Sequence, residues 1–194
     1  MNGDVLEATW RVAGALERLE VRFHLGGSLS SSLHGFPRAT LDADLVADLA
    51  PGLGRALCTE LGKEFYADEP AIEEAIRERR SFNVIHLQTM FKVDVFLVKD
   101  TPFDRESFRR ARAEPVGPEG KALLVSTPED TVLHKLLWFQ KGGETSDRQW
   151  GDLVGVLKVQ GRRVDAAYLR RWASVLGLED LLASALAEAK LPTR

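Results

Sequence analysis

One cysteine, Cys58, among 194 residues excludes an internal disulfide framework and any cysteine-rich zinc site. No apolar run approaches the roughly 20 residues that cross a bilayer. The opening residues, MNGDVLEATW, lack the basic segment and apolar stretch of a secretory signal. Positive charge is not in excess either. Lys and Arg number 26 against 29 Asp and Glu, a net charge of -3, so a nucleic-acid partner would have to meet a local basic patch. Internal repeats and long polar linkers are also lacking. What is present is an ordinary globular balance, 44% hydrophobic and 28% charged, which sets aside a disordered or fibrous chain. The expectation is a cytoplasmic protein of one domain or two small lobes, with no membrane partner.

The hydrophobic pattern changes character near residue 127. Before it, short β-branched runs alternate with helical stretches; after it, every pattern is helical. Residues 4–20 read as an amphipathic helix, 21–25 as a strand ended by Gly26-Gly27, and 28–34 as a short helix capped by Ser28. Strands are expected at 44–48, 81–87, 92–98 and 123–125, with a weak one at 65–67. Helices are expected at about 53–62, 70–79 and 103–112. The second part opens with Ser126-Thr127-Pro128-Glu129-Asp130, where a hydroxyl cap, a proline and first-turn acids mark a helix start. Gly142-Gly143 stops that helix. Ser146 with Gln149 is a capping-box pattern for the next, over 147–159. Two more helices, at 165–175 and 178–189, meet at Gly177. The fold class is therefore α/β (α+β), a mixed sheet with flanking helices over 1–126 followed by a helical lobe over 127–194.

Chemistry concentrates in GGSLSSSLHGFPRATLDADLV, residues 26–46. A strand runs into Gly26-Gly27-Ser28, where glycine allows a sharp turn and a following helix start offers free N–H groups to phosphate. Asp42 and Asp44 are two apart at a strand start, so their carboxylates leave the same face. Held that close, they repel unless a cation intervenes, and Mg²⁺ takes carboxylate oxygens while bridging to phosphates. Asp94 stands in the apolar strand Lys92-Val93-Asp94-Val95-Phe96-Leu97 and requires a partner there, a metal or a salt bridge to Arg38 or Lys92.

Gly26-Gly27-Ser28, Asp42-x-Asp44 and Asp94 on a later strand resemble, in that order, the DNA polymerase β-type nucleotidyltransferase superfamily. The resemblance implies that Gly27 and Ser28 hold a nucleoside triphosphate, that Asp42 and Asp44 bind two Mg²⁺ ions, and that Asp94 joins the metal site and activates an acceptor hydroxyl. His34-Gly35, Arg38-x-Thr40-x-Asp42, the Pro128-Glu129-Asp130 helix with Lys135, and Arg148 with Asp152 are similar to the minimal bacterial branch related to AbiEii toxins. That likeness implies Lys135 facing the triphosphate, an acceptor on tRNA or protein, and a cognate antitoxin. The turn departs from the Gly-Ser-Ala-Arg of many relatives, and Arg38 is expected to supply the missing positive charge. The implied nucleotide-binding set is Gly26, Gly27, Ser28, Arg38 and Lys135. The function expected is metal-dependent transfer of a nucleoside monophosphate. The alternatives are a catalytically weak nucleotide-binding or antitoxin-like protein, and an enzyme modifying a small molecule such as an aminoglycoside.

Other motifs carry less. Gly52-Leu53-Gly54 lacks the third glycine of a dinucleotide fingerprint and reads as a turn. The four histidines are dispersed; His34 adjoins the glycine turn, while His24 and His86 read as hydrogen-bonded strand residues. Ser30, Ser31 and Ser32 belong to no Ser-His-Asp arrangement. Arg148 and Asp152 have the spacing of a structural ion pair. Two basic clusters, Arg105-Arg109-Arg110-Arg112 and Lys158-Arg162-Arg163-Arg170-Arg171, are solvated faces or an RNA-backbone surface.

Overall fold

The computed structural model describes residues 3–40, 42–116 and 120–192. The chain forms two compact units, Met1–Gly26 with Ala39–Val125 and Gly27–Arg38 with Ser126–Arg194. The second is therefore discontinuous: a short insert near the start of the chain packs with the C-terminal helices.

The first unit is built on seven strands: β1 (Phe23–Leu25), β2 (Asp42–Ala47), β3 (Phe65–Tyr66), β4 (Ser81–His86), β5 (Lys92–Leu97), β6 (Arg112–Pro115) and β7 (Ala122–Val125). They form one mixed sheet in the order β3-β4-β5-β2-β1-β7-β6. Strands β2 and β5 are parallel neighbours, as are β1 and β7; the other pairs are antiparallel. Burial alternates along β2 and β5. Ala43, Leu45, Ala47, Val93, Val95 and Leu97 face the core. Helix α1 (Gly3–Arg18) packs against β2, β5 and α3 (Gly54–Leu61), and α3 against α4 (Glu69–Arg77). The apolar spacing Val5, Ala8, Val12, Ala15, Leu16 gives α1 its buried stripe. With α1 on the Ala43–Val93 face, the opposite face of the central strands is free to carry polar side chains.

Caps account for several helix starts. Asp68 accepts from the Ala71 N–H ahead of α4, and Thr101 from the Asp104 N–H ahead of α5 (Pro102–Arg110). The sequence reading does not anticipate β6. Its residues, Arg-Ala-Glu-Pro, have no β-branched member, and it forms only as an edge strand on β7, where a terminal proline is tolerated.

The second unit comprises α2 (Gly27–His34), α6 (Pro128–Lys141), α7 (Asp147–Gln160), α8 (Ala166–Leu176) and α9 (Glu179–Glu188). Thr127 caps α6 with proline at its first position, and Ser146 caps α7 through the Gln149 N–H, both as the sequence pattern predicts. Gly177, in the left-handed conformation, ends α8. Ser28 does not cap α2 but lies inside it, because the helix already begins at Gly27. Helix α2 packs on α6 and α7. Its buried serines keep that approach close, and the Ser30 and Thr131 hydroxyls share a 2.7 Å hydrogen bond across it. Asp130, fully buried, accepts from the Thr127 and Tyr168 hydroxyls.

Candidate active site

Two polar groups hold the residues singled out by the sequence, one in each unit. In the first unit the parallel register sets Asp44 opposite Asp94 and Asp42 opposite Lys92. Parallel neighbours stand about 4.8 Å apart, and alternate residues of a strand about 6–7 Å apart. Asp42, Asp44, Asp94 and Lys92 thus mark the four corners of a small rectangle on the polar face. Across β4 the Asp44–Asp94 row continues to Asn83. Nothing local in the sequence pairs the two strands; the backbone ladder brings Asp94 to Asp44.

The side chains are placed by specific partners. Asp94 Oδ2 accepts from Lys92 Nζ at 2.7 Å, and Asp42 Oδ1 accepts from the Thr40 hydroxyl at 2.9 Å. The Asp94 hydrogen bond holds the Lys92 amine above the ordinary lysine pKa, with added pull from all three carboxylates and a partial offset from burial. The salt-bridge alternative to a metal at Asp94 is therefore realised with Lys92. Hard oxygen donors on one sheet face are the right kind for a divalent cation. As the side chains stand, however, no three acidic, histidine or cysteine side chains among the described residues converge to hold one.

The turn divides between the groups. In the first unit the Gly26 N–H donates to the Asp44 carbonyl at 2.9 Å, so this amide serves the fold. Gly27 has φ of 52°, a conformation that glycine adopts without strain, and starts α2.

In the second unit Arg38 donates from Nε and Nη2 to the two oxygens of Asp152, each at 2.8 Å, and from Nη2 to Ser28 Oγ at 2.8 Å. Lys135 Nζ reaches the same carboxylate at 2.8 Å and Gln149 Oε1 at 3.0 Å. Ser28, Arg38 and Lys135 are thereby joined through Asp152. Lys135 is 4% exposed and is no surface lysine. Burial pushes the Asp152 carboxyl up, but the hydrogen bonds and charges of Arg38 and Lys135 outweigh it and hold its pKa below the ordinary aspartate value. Two cations on one carboxylate beside a serine hydroxyl form a set of donors of the kind that suits an anion.

This network corrects the reading of Asp152, which pairs with Arg38 and Lys135 and not with Arg148 one turn away. Its signal in the sequence was the i, i+3 spacing of Gln149 and Asp152 on one helix face, but the partner Arg38 is far off in the chain. His34 is buried and donates from Nε2 to the Ser126 carbonyl at 2.7 Å, a structural role. His24 and His86 make the hydrogen bonds expected of strand residues, to Leu25 O and Thr89 Oγ1. In the basic clusters Arg105 pairs with Asp100, Arg109 with Glu106 and Lys158 with Glu188, while Arg163 donates to the Val159 and Gln160 carbonyls.

No protein-family model matches the chain, and no curated protein sequence matches it. Solved structures do. The chain is similar over 91% of its length to 97% of the antibiotic-resistance factor ANT(2'')-Ia, at 15% identity and a TM-score of 0.48. It is similar over 97% of its length to 94% of an antigenic nucleotidyltransferase-like protein from Paracoccidioides brasiliensis, at 16% identity and a TM-score of 0.57. Among the described residues no helix is long and apolar enough to cross a membrane. The mixed seven-stranded sheet with its flanking helices, matched over 97% of this chain and 94% of the Paracoccidioides brasiliensis protein, gives this protein a nucleotidyltransferase-like fold.

Proposed function

We propose that this protein transfers a nucleoside monophosphate from a nucleoside triphosphate to an acceptor hydroxyl. The observation that carries the reading is the in-register placement of Asp42, Asp44 and Asp94 on one polar sheet face of a nucleotidyltransferase-like fold. Asp42, Asp44 and Asp94 would hold Mg²⁺, two ions in the proposed active state, which would supply Lewis-acid neutralisation of phosphate charge. The chain's own residues do the rest. Asp94 takes the proton of the acceptor hydroxyl on a carboxylate oxygen as that hydroxyl attacks the α-phosphorus, and the α–β phosphoanhydride bond breaks to release pyrophosphate. Ser28, Arg38 and Lys135 offer a hydroxyl and two cations to the β and γ phosphates, with Asp152 fixing where the cations point. Gly26 and Gly27 give the turn its path.

The sharing of Asp152 by Arg38 and Lys135 supports the finer assignment as well. Both cations belong to the motifs that resemble the AbiEii-related branch, which favours tRNA or a protein as acceptor, a cognate antitoxin as partner and the cytoplasm as the place of action. The test offers each α-labelled nucleoside triphosphate, with Mg²⁺, to total tRNA, lysate protein and aminoglycosides. Label is expected on one acceptor class, and not with Asp44→Asn. No transfer to any acceptor by the wild type, or equal transfer by Asp44→Asn, would refute the proposal.

A further inference from the structure

We propose that Lys92 is the resident counter-ion of the acid group: its ammonium holds Asp94 in the metal-free protein and yields that carboxylate to a divalent cation, so that Lys92 sets how tightly the protein takes metal. The inference rests on the reading of Asp42, Asp44 and Asp94 as metal donors. Its motivation is geometric. Lys92 fills the fourth corner of the rectangle, opposite Asp42 across the ladder and two residues before Asp94 on the same strand face. Its Nζ lies 2.7 Å from Asp94 Oδ2, and the Asp94 side chain is only 18% exposed. Three carboxylates confined to one face require positive charge nearby, and Lys92 supplies it from inside the group.

An ammonium at that distance and a divalent cation on the same oxygen would repel strongly, so the two occupants exclude each other. The Lys92 side chain is 43% exposed and is carried on a flexible four-carbon stem. Its charge can swing into water while Asp94 turns toward Asp44. A bridge that served only the fold would stay closed when the metal binds, whereas competition predicts that the ammonium leaves Asp94 as the metal arrives, and that without Lys92 the Asp94 carboxylate is open to a cation, which binds more tightly.

The experiment is calorimetric titration of the full chain with Mn²⁺, for wild type, Lys92→Gln and Lys92→Arg. Lys92→Gln should bind about fivefold more tightly than wild type, the scale of losing one competing, half-exposed ion pair. Lys92→Arg, which keeps the charge in a stiffer, more strongly pairing fork, should bind no more tightly than wild type. Equal or weaker binding by Lys92→Gln, with Mn²⁺ still taken up by wild type, overturns the role of Lys92 and leaves the metal reading standing. No Mn²⁺ uptake by any of the three proteins, with or without nucleoside triphosphate, overturns the metal reading and this inference with it. A second measurement needs no variant. The ¹⁵N-resolved NMR signal of the Lys92 ammonium should be present in the metal-free protein and be lost or shifted toward the free-lysine position at saturating Mg²⁺. A signal unmoved by bound Mg²⁺ would overturn the proposal independently.

Discussion

Asp152 accepts from two cations at once, and this makes it the residue on which the second polar group depends. Its side chain is 9% exposed and that of Lys135 is 5% exposed, so neither charge is well hydrated without the other. Removing one partner of such a buried pair costs about 3–5 kcal/mol, since the remaining charge is left uncompensated. Asp152→Asn keeps the shape and one acceptor oxygen, so its cost at neutral pH should fall at the low end, about 3 kcal/mol. The pH dependence has a definite sign. A carboxyl whose pKa is depressed on folding contributes stability that is full above its unfolded value, about 3.9, and is lost as pH falls through the lower folded value. Denaturant unfolding of wild type and Asp152→Asn should therefore show a gap that is constant from pH 7 to about 5 and closes in the acid range below about 4. A gap that persists unchanged into that range would mean that the charge of Asp152 is not what holds Arg38 and Lys135. Lys135→Ala strips the same buried carboxylate of one cation, so it should lose stability along with any triphosphate affinity.

At the scale of the element, helix boundaries were the most legible part of the sequence, because they are set by local chemistry. Thr127 with Pro128, Ser146 with Gln149, and Gly177 each satisfy or release backbone groups within a few residues, and each ends or begins a helix as read. Strand β6 was not legible, since an edge strand needs only a partner, and β7 supplies it. Nor does the sequence announce that α2 and the residues to Arg38 pack with helices more than 85 positions later. That packing leaves its trace at Gly35. A Cβ there would meet Val156 N at 2.7 Å, Gly155 C at 2.9 Å and Ser31 O at 2.9 Å, all backbone atoms that cannot yield like a side chain. Gly35→Ala should destabilise by about 1–3 kcal/mol and disturb the path to Arg38. Gly151 is the internal control. It sits in the same helix as Gly155, with open space where its Cβ would go, so Gly151→Ala should stabilise by up to about 1 kcal/mol through helix propensity. Thermal unfolding of the two variants checks the contrast, and a harmless Gly35→Ala would show that α2 and α7 have slack between them.

For the whole molecule, the acids were legible as a set but their neutralisation was not. Asp42-x-Asp44 is a local pattern, whereas the pairing of Asp94 with Lys92 depends on which way a side chain turns once β2 and β5 lie in register. The chain's net charge of -3 conceals a face where Asp42, Asp44 and Asp94 stand together with Lys92. Such a group, if it is kept for function, weakens the fold that carries it. Asp42 is the position at which to measure this, because its Oδ1 accepts from the Thr40 hydroxyl and an asparagine oxygen can accept the same bond. Asp42→Asn therefore removes a charge and leaves the hydrogen bond. Metal-free stability should stay within about 1 kcal/mol of wild type, because losing the repulsion of Asp44 on the same strand face is offset by losing the attraction of Lys92 directly opposite. That corresponds to a change of no more than about 2–4 °C in Tm for a chain of this size. Stabilisation by added Mg²⁺ and nucleoside triphosphate should shrink in the same variant, and nucleotide transfer should be lost. A structural ion-pair network would respond differently, losing several kcal/mol on removal of one buried member. Thermal unfolding of both proteins, each with and without Mg²⁺ and triphosphate, separates the two. A variant strongly destabilised without metal, or one still transferring nucleotide at the wild-type rate, would remove Asp42 from the active site.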